Sequence, residues 1–482
     1  MKLKQLLQDI DILESNVDMN LEITDVAYDS RKVKAGGLFV AISGFTSDGN
    51  RYIPQVLEKG AAVVVTARKP EGKVPYVLVA SDRLALALIG RNFFGNPAKS
   101  MTIIGVTGTN GKTSVTILLK HILEETLGAK VGLIGTMENL IGEEVLPTER
   151  TTPESFELQS IFARMRDAGC THVVMEVSSH ALVLERVGGI RFDVAAFTNL
   201  SEDHLDFHKT MEAYADAKAE LFARCEKGVV NADDEVADKM LAKAACPVLT
   251  TAVKQKAALQ AEDIHLLAEG IHFTAVEGHE QVAVSLPIPG KFTVYNALTV
   301  LGIARSLGIA LADAAAALAG AKGIMGRVEV VPTPTTPYSI LIDYAHTPDG
   351  LENVLSSVKD FCKGRLIAVF GCGGDRDPIK RPIMGAIGVK LSDIAVITSD
   401  NPRTEDPNAI IEDILKGITP DMGEYVVVPD RRSAIRYAMD IAEKDDIIVL
   451  AGKGHETYQE IQNVKYHLDE REEVAAHLAE LR

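Results

Sequence analysis

Apolar residues in this chain recur in two alternating rhythms. Short β-rich runs such as Leu38 to Ile42, Ala61 to Thr66 and Ile103 to Val106 give way to stretches where apolar residues return every three or four positions, as at Val115, Leu118, Leu119 and Ile122. The first rhythm predicts strands and the second amphipathic helices, and their alternation predicts α/β domains built on mostly parallel sheets. Asn96-Pro97 breaks the pattern once. Pro332, Pro334 and Pro337 break it again and read as a linker, because proline denies the chain both helix and central strand. The expected units are therefore residues 1–98, 99–331 and 332–482. A length of 482 residues agrees with about three domains of ordinary size.

The junction between Ile103–Val106 and the following helix holds T-G-T-N-G-K-T, residues 107–113. Glycines between a strand and a helix can turn backbone N–H groups toward a phosphate, with a lysine at the outer phosphates and a hydroxyl on Mg²⁺. Gly108, Thr109, Asn110, Gly111, Lys112, Thr113 and Ser114 are the candidate loop, with Lys112 and Thr113 in those two roles. The usual first glycine of G-x-x-x-x-G-K-[ST] is replaced by Val106, so the alternative is a glycine-rich turn opening an ordinary helix. The fold expectation becomes α/β with three domains, a central P-loop mostly parallel sheet and a Rossmann-like C-terminal domain.

Composition narrows the partners. With 46% hydrophobic and 24% charged residues the chain is ordinary globular protein, and a net charge of −17 argues against nucleic acid or an anionic membrane as partner. An anionic small molecule stays possible where basic residues gather locally. The five cysteines, with no C-x-x-C pair, suggest reduced core thiols rather than disulfides or zinc. Asp9 and Asp11 interrupt the N-terminus before a signal-peptide core forms, and no run of about 18 apolar residues occurs. The expectation is a cytoplasmic monomer that binds small molecules and does not insert into membranes.

Polar clusters close several predicted strands, where ligands of parallel sheets bind. Glu176 is placed to reach Mg²⁺ beside Thr113 or to cap the next turn; Ser178, Ser179 and His180 follow it. His204, in T-N-L-S-E-D-H-L-D, reads as a metal ligand or as a helix-start histidine, and spacing does not decide. Lys218, read alone, is a solvated helix lysine. Asp29-Ser30-Arg31 and the loop Gly44 to Gly49 read as turns, and Asp400-Asn401-Pro402-Arg403 as a turn before a helix. Gly-Cys-Gly-Gly at 371–374 lacks the remainder of a dinucleotide fingerprint.

Taken in order, T-G-T-N-G-K-T, T-T-P-E from Thr151, M-E-V-S-S-H from Met175, T-N-L-S-E-D-H-L-D, Y-N at 295–296, G-R-V-E from Gly326, D-Y-A-H-T-P-D from Asp343, G-G-D-R-D from Gly373, D-N-P-R from Asp400 and G-K-G-H-E from Gly452 resemble the Mur ligases along essentially the whole chain. That resemblance implies an ATP- and Mg²⁺-dependent amide ligase acting on a UDP-N-acetylmuramoyl dipeptide, and D-N-P-R resembles the branch that uses meso-diaminopimelate. It implies UDP-substrate contacts at Ser30, with Phe45, Thr46 and Ser47 beside it, and at Thr151, Thr152, Ser178 and Arg186. Leu184 stands where many members carry glutamine, which removes one polar contact. It further implies ATP contacts at Asn296, Arg327 and Asp343, and Mg²⁺ held by Thr113, Glu176, His204 and a carbamylated Lys218, a change that turns a repelling cation into a carboxylate-like ligand. Lys112, Glu176, His204 and Lys218 would be catalytic. Arg376, Asp400, Asn401, Pro402, Arg403, Gly452 and Glu456 would bind the amino acid, with Arg403 on its distal carboxylate. The rival expectations are an L-lysine-adding homologue, a folylpolyglutamate synthetase and a P-loop switch protein that forms no bond.

Overall fold

A computed structural model describes the chain except for residues 45, 46, 149, 481 and 482; the expected contacts at Phe45 and Thr46 therefore lie outside the described residues. The described residues form three large sheets and one two-stranded sheet, Tyr458–Ile461 with Val464–His467. The first, in the order Ile12–Ser15, Tyr76–Val79, Val63–Thr66, Leu38–Ala41 and Val26–Ala27, is parallel except at its Ile12–Ser15 edge.

The second sheet has eleven strands. Its parallel heart runs Leu259–Leu267, Val248–Ala252, Cys225–Asn231, Phe192–Phe197, Thr102–Thr107, His172–Glu176 and Val131–Ile134, with antiparallel strands on both flanks. Thr102–Thr107 thus lies between the strands that end at Phe197 and Glu176, which brings three polar strand ends together. Helix Lys112–Leu127 buries Val115, Leu118, Leu119, Ile122 and Leu123 against this sheet and against helix Lys291–Ser306. Each fully buried aliphatic side chain of this kind contributes about 1.5–3 kcal/mol.

The third sheet runs Glu329–Val331, Ser339–Asp343, Ile447–Ala451, Leu366–Phe370, Ile394–Ile397 and Glu424–Val427, parallel except for its first strand. That first strand corrects the linker expectation. Glu329–Val331 pairs antiparallel with Ser339–Asp343, so Pro332, Pro334 and Pro337 occupy the loop of a hairpin inside the third sheet. Proline is as compatible with such a loop beside an edge strand as with a linker.

Cys170, Cys225 and Cys372 are buried as expected of core thiols, whereas Cys246 and Cys362 are half-buried. The sulfurs of Cys225 and Cys246 approach to 3.4 Å, a proximity that their separation in sequence does not suggest. Among the described residues no helix is long and apolar enough to cross a membrane.

Candidate active site

The phosphate-type loop is folded back on itself. Gly111 has φ +86°, and a Cβ there would meet Asn296 Oδ1 at 2.4 Å, so glycine is what lets Asn296 lie against the loop. Lys112 Nζ donates to the carbonyls of Gly108 and Thr109 at 2.9 and 2.8 Å. Burial pushes the Lys112 amine below its usual range, Glu176 draws it back, and Arg327 adds to the fall. Asn110 N donates to Asn199 Oδ1 at 2.9 Å, the Thr109 hydroxyl lies 3.2 Å from Tyr214 Oη, and Ser114 is half-buried on the first turn. Arg327 reaches this region from the start of the third sheet with its guanidinium over the Tyr344 ring at 5.1 Å. Asp343 accepts from Val328 N and Ala345 N, each at 2.8 Å, so its carboxylate shapes the backbone that carries Arg327.

Glu176 is buried beside the loop and accepts from Thr113 Oγ1, Thr136 N and Thr136 Oγ1, each at 3.0 Å. Thr136 was not among the residues expected; its signal was a Gly-Thr pair closing the apolar run Val131–Ile134. Lys218, expected from sequence alone to be solvated, is only 1% exposed. It donates to Gly108 O at 2.8 Å, and its amine lies 4.4 Å from the centre of the Tyr214 ring. Burial, with Lys112 adding repulsion, drives this amine well below the ordinary lysine range. His204 has φ +55° and a half-exposed ring that meets His180 edge-on at 4.9 Å.

Among the described residues no three His, Cys, Asp or Glu side chains converge as a metal cluster. The oxygens of Thr113 and Glu176 are nonetheless the hard donors Mg²⁺ takes, and such sites leave further positions to phosphate and water. The residues present fit the ion as a partial set.

Between the first and second sheets lies a cleft of about 950 Å³ lined by Ser30 and Ser47 from one side and by Thr148, Arg150 and Glu154 from the other. Arg31, Lys32 and Arg83 line it too, as do Asp29 and Glu157, with Arg31 paired to Asp29 at 2.8 Å. Tyr28 Oη donates to Glu157 Oε1 at 2.6 Å and closes its floor across the two domains. Next to it, Thr152 Oγ1 donates to Glu176 O at 2.9 Å and accepts from Ser178 N at 3.1 Å, while Arg186 Nη1 donates to Thr152 O at 3.2 Å. Thr151 Oγ1 lies 3.0 Å from Thr136 Oγ1. The cleft-side cluster and the Glu176 strand end are therefore continuous, and Leu184 is buried beside them.

In the third domain Asn401 is a buried hub: its Nδ2 donates to Glu456 Oε2 at 2.8 Å, and its Oδ1 accepts from Lys453 Nζ at 3.0 Å and Glu460 N at 2.9 Å. Arg403 has φ +51° and donates to Gly374 O at 2.7 Å, with Nε 3.3 Å from Glu460. Pro402 lends shape, its carbonyl lying against Gly374. Burial opposes ionisation of Asp400, but Lys453 and Arg431 outweigh it and hold the carboxyl below its usual range. Gly452, with φ +117°, lets Asp400 Oδ2 approach the backbone, since a Cβ would stand 2.5 Å from that oxygen. Arg376 is exposed and, among the described residues, donates to the Asp375 carbonyl, outside this hub. Lys453, inside the G-K-G-H-E stretch, was overlooked although its motif was in view.

A phosphate loop between a parallel strand and a helix, with a carboxylate and a buried lysine converging on it, defines a P-loop nucleotide-dependent α/β protein. Comparison with known proteins gives the family. The family model described as "Mur ligase middle domain" matches residues 106–304, "Mur ligase, glutamate ligase domain" residues 326–454, and "Mur ligase family, catalytic domain" residues 22–88. A Clostridium botulinum protein named UDP-N-acetylmuramoyl-L-alanyl-D-glutamate--2,6-diaminopimelate ligase is 48% identical over 95% of this chain and 96% of its own length. One from Clostridium acetobutylicum, with the same name and the suffix 1, is 47% identical over 100% of both. A solved structure of a ligase of that name superposes with a TM-score of 0.74 at 31% identity, covering 100% of this chain and 99% of its own. The chain belongs to the Mur ligase family.

Proposed function

We propose that the chain joins meso-diaminopimelate to the D-glutamate side-chain carboxylate of UDP-N-acetylmuramoyl-L-alanyl-D-glutamate with cleavage of ATP to ADP and phosphate, in peptidoglycan precursor synthesis. The observation that carries this reading is the pairing of two unlike sites: Lys112 facing carbonyls beside Glu176, and the charge-paired hub at Asn401 and Arg403. The relatives' shared name supports it.

ATP occupies residues 108–114 with Asn296 and Arg327 beside it, and Asp343 positions the latter. The UDP substrate takes the Ser30 cleft and reaches Thr151, Thr152, Ser178 and Arg186. The third domain, which we begin ahead of Glu329, takes the amino acid.

A carboxylate does not react with an amine until it carries a leaving group. The glutamate oxygen attacks the γ-phosphorus, the bond to ADP breaks, and an acyl phosphate forms; the amine then adds to the acyl carbon and inorganic phosphate departs. Lys112 and the loop N–H groups stabilise charge on the phosphoryl group in flight, a contribution of about 3–4 kcal/mol for one well-placed donor. Mg²⁺ would be held by Thr113, Glu176, His204 and carbamylated Lys218, and supplies electrostatic neutralisation of the phosphates. The depressed amine of Lys218 favours the neutral form that adds CO₂. Arg403 fits the carboxylate that distinguishes diaminopimelate from lysine, since that carboxylate can take a bidentate place beside the guanidinium's present partners Gly374 O and Glu460, and lysine offers no group to do so.

The test is phosphate release from Mg²⁺-ATP and the UDP dipeptide with diaminopimelate, L-lysine or no amino acid. Release driven by diaminopimelate, with one new amide in the product mass, is expected. Folate-dependent release would favour a folylpolyglutamate synthetase, and release that needs no amino acid a switch protein.

A further inference from the structure

Helix Pro348–Lys359 of the third domain touches the central domain near both its ends. Near its far end Ser357 Oγ accepts from Lys291 N at 2.8 Å, and Phe292 lies against the third domain's core. At its first turn the Asp349 carboxylate reaches across the domain boundary and accepts two hydrogen bonds on one oxygen, from Asn110 Nδ2 and from Ser201 Oγ, both at 2.7 Å. These two donors belong to the phosphate loop and its bracket, because Ser201 N donates to Thr109 Oγ1 at 3.0 Å. A carboxylate in a first helical turn is favoured by the helix dipole, which explains why Asp349 is comfortable there but not why it faces a loop built for polyphosphate.

We propose that Asp349 is a positioning residue of the ligation reaction. It docks the third domain onto the phosphate loop, so that an amine held near Asn401 and Arg403 is presented to the acyl phosphate formed beside Lys112. This rests on the ligase reading above. When two reacting groups sit on different domains, the rate depends on how often the domains are in register, and misplacement by about 1 Å can cost a hundredfold. The charge makes the proposal specific. A carboxylate close to bound phosphates repels them, so its removal should weaken amide formation while leaving nucleotide binding unchanged or tighter. A residue that merely holds the loop's shape would lose both together.

The experiment compares the full chain with Asp349→Ala and Asp349→Asn. For the alanine variant we expect kcat/KM for diaminopimelate to fall roughly tenfold or more, the order expected for lost hydrogen bonds to a charged acceptor. ADP affinity should stay within twofold or rise. Asparagine keeps an acceptor oxygen and should recover most of the rate. Ser201→Ala combined with Asp349→Ala should be no worse than Asp349→Ala alone, since the two share one contact. A fall in ADP affinity matching the fall in rate, or a wild-type rate in the alanine variant, overturns the proposal. Small-angle scattering of the ligand-free proteins separates this from the ligase reading. A more extended Asp349→Ala supports docking even if no amino acid drives turnover, and identical profiles overturn it.

Discussion

The cations of the central and third domains are set up in opposite ways. Lys112 and Lys218 donate to backbone carbonyls of the loop, and burial holds both amines below their usual range. In the third domain Lys453 meets Glu456 at 3.0 Å, Arg403 meets Glu460 at 3.3 Å, and Arg431 meets Glu470 at 2.7 Å with both side chains fully buried. A buried charge is costly unless an opposite charge answers it. Lys112, held by carbonyls, therefore gains most from a polyphosphate, whereas the Lys218 amine is driven toward its neutral form. The third-domain set is already balanced and suits a zwitterion, whose carboxylates and ammonium exchange with partners in place.

Removing the central cation should break this contrast most visibly. Lys112→Met should lower phosphate release by about a thousandfold, as loss of one oxyanion-stabilising donor does elsewhere, with the melting temperature little changed. Activity within tenfold of wild type would show that the loop does not depend on this charge.

In the third domain Gly452→Ala places a methyl group 2.5 Å from Asp400 Oδ2 at φ +117°. Strain of about 1–3 kcal/mol is expected there, hence a roughly tenfold rise in KM for the amino acid with KM for ATP unchanged. A parallel rise for ATP would mean that the two regions are not separable.

The smallest effect is on stability. His208 stacks on Tyr214 at 4.8 Å and sits 2.8 Å from Ser179 Oγ. Burial, aided by His180 and Lys218, lowers its pKa to about 4. The unfolded chain then binds the extra proton between about pH 6.5 and 4, so stability present above that window is lost as pH falls through it. Thermal melts of His208→Asn should show a flatter dependence over this range; an unchanged slope would assign the acid sensitivity elsewhere.

The phosphate loop was legible because it is local: strand, glycines, lysine, threonine and helix are contiguous. Glu176 was legible as an acid closing an apolar strand. Lys218 was not legible from its neighbours, since what buries it is the Gly108 carbonyl, more than a hundred residues away, and the Tyr214 ring one helical turn back. The prolines at 332–337 misled for a related reason. Proline excludes helix and central strand, but only the pairing of Glu329–Val331 with Ser339–Asp343 shows that they cap a hairpin. Arg376 was read beside Arg403 as an amino-acid contact, yet among the described residues the hairpin Tyr458–Ile461 and Val464–His467 provides ion pairing and backbone contacts to Arg403, while Arg376 donates to the Asp375 carbonyl. Asp349 closes the D-Y-A-H-T-P-D stretch, yet its partners Asn110 and Ser201 were not legible there, because the contact depends on how two domains meet.

The most direct measurement is the specificity ratio, kcat/KM for meso-diaminopimelate over that for L-lysine, in the wild-type chain and in Arg403→Ala with ATP and the UDP dipeptide saturating. The account predicts a wild-type ratio of at least about a hundred that collapses in the variant, while KM for ATP moves less than about twofold. A wild-type enzyme that uses lysine equally well, or a variant that loses both amino acids and ATP in the same proportion, would contradict it.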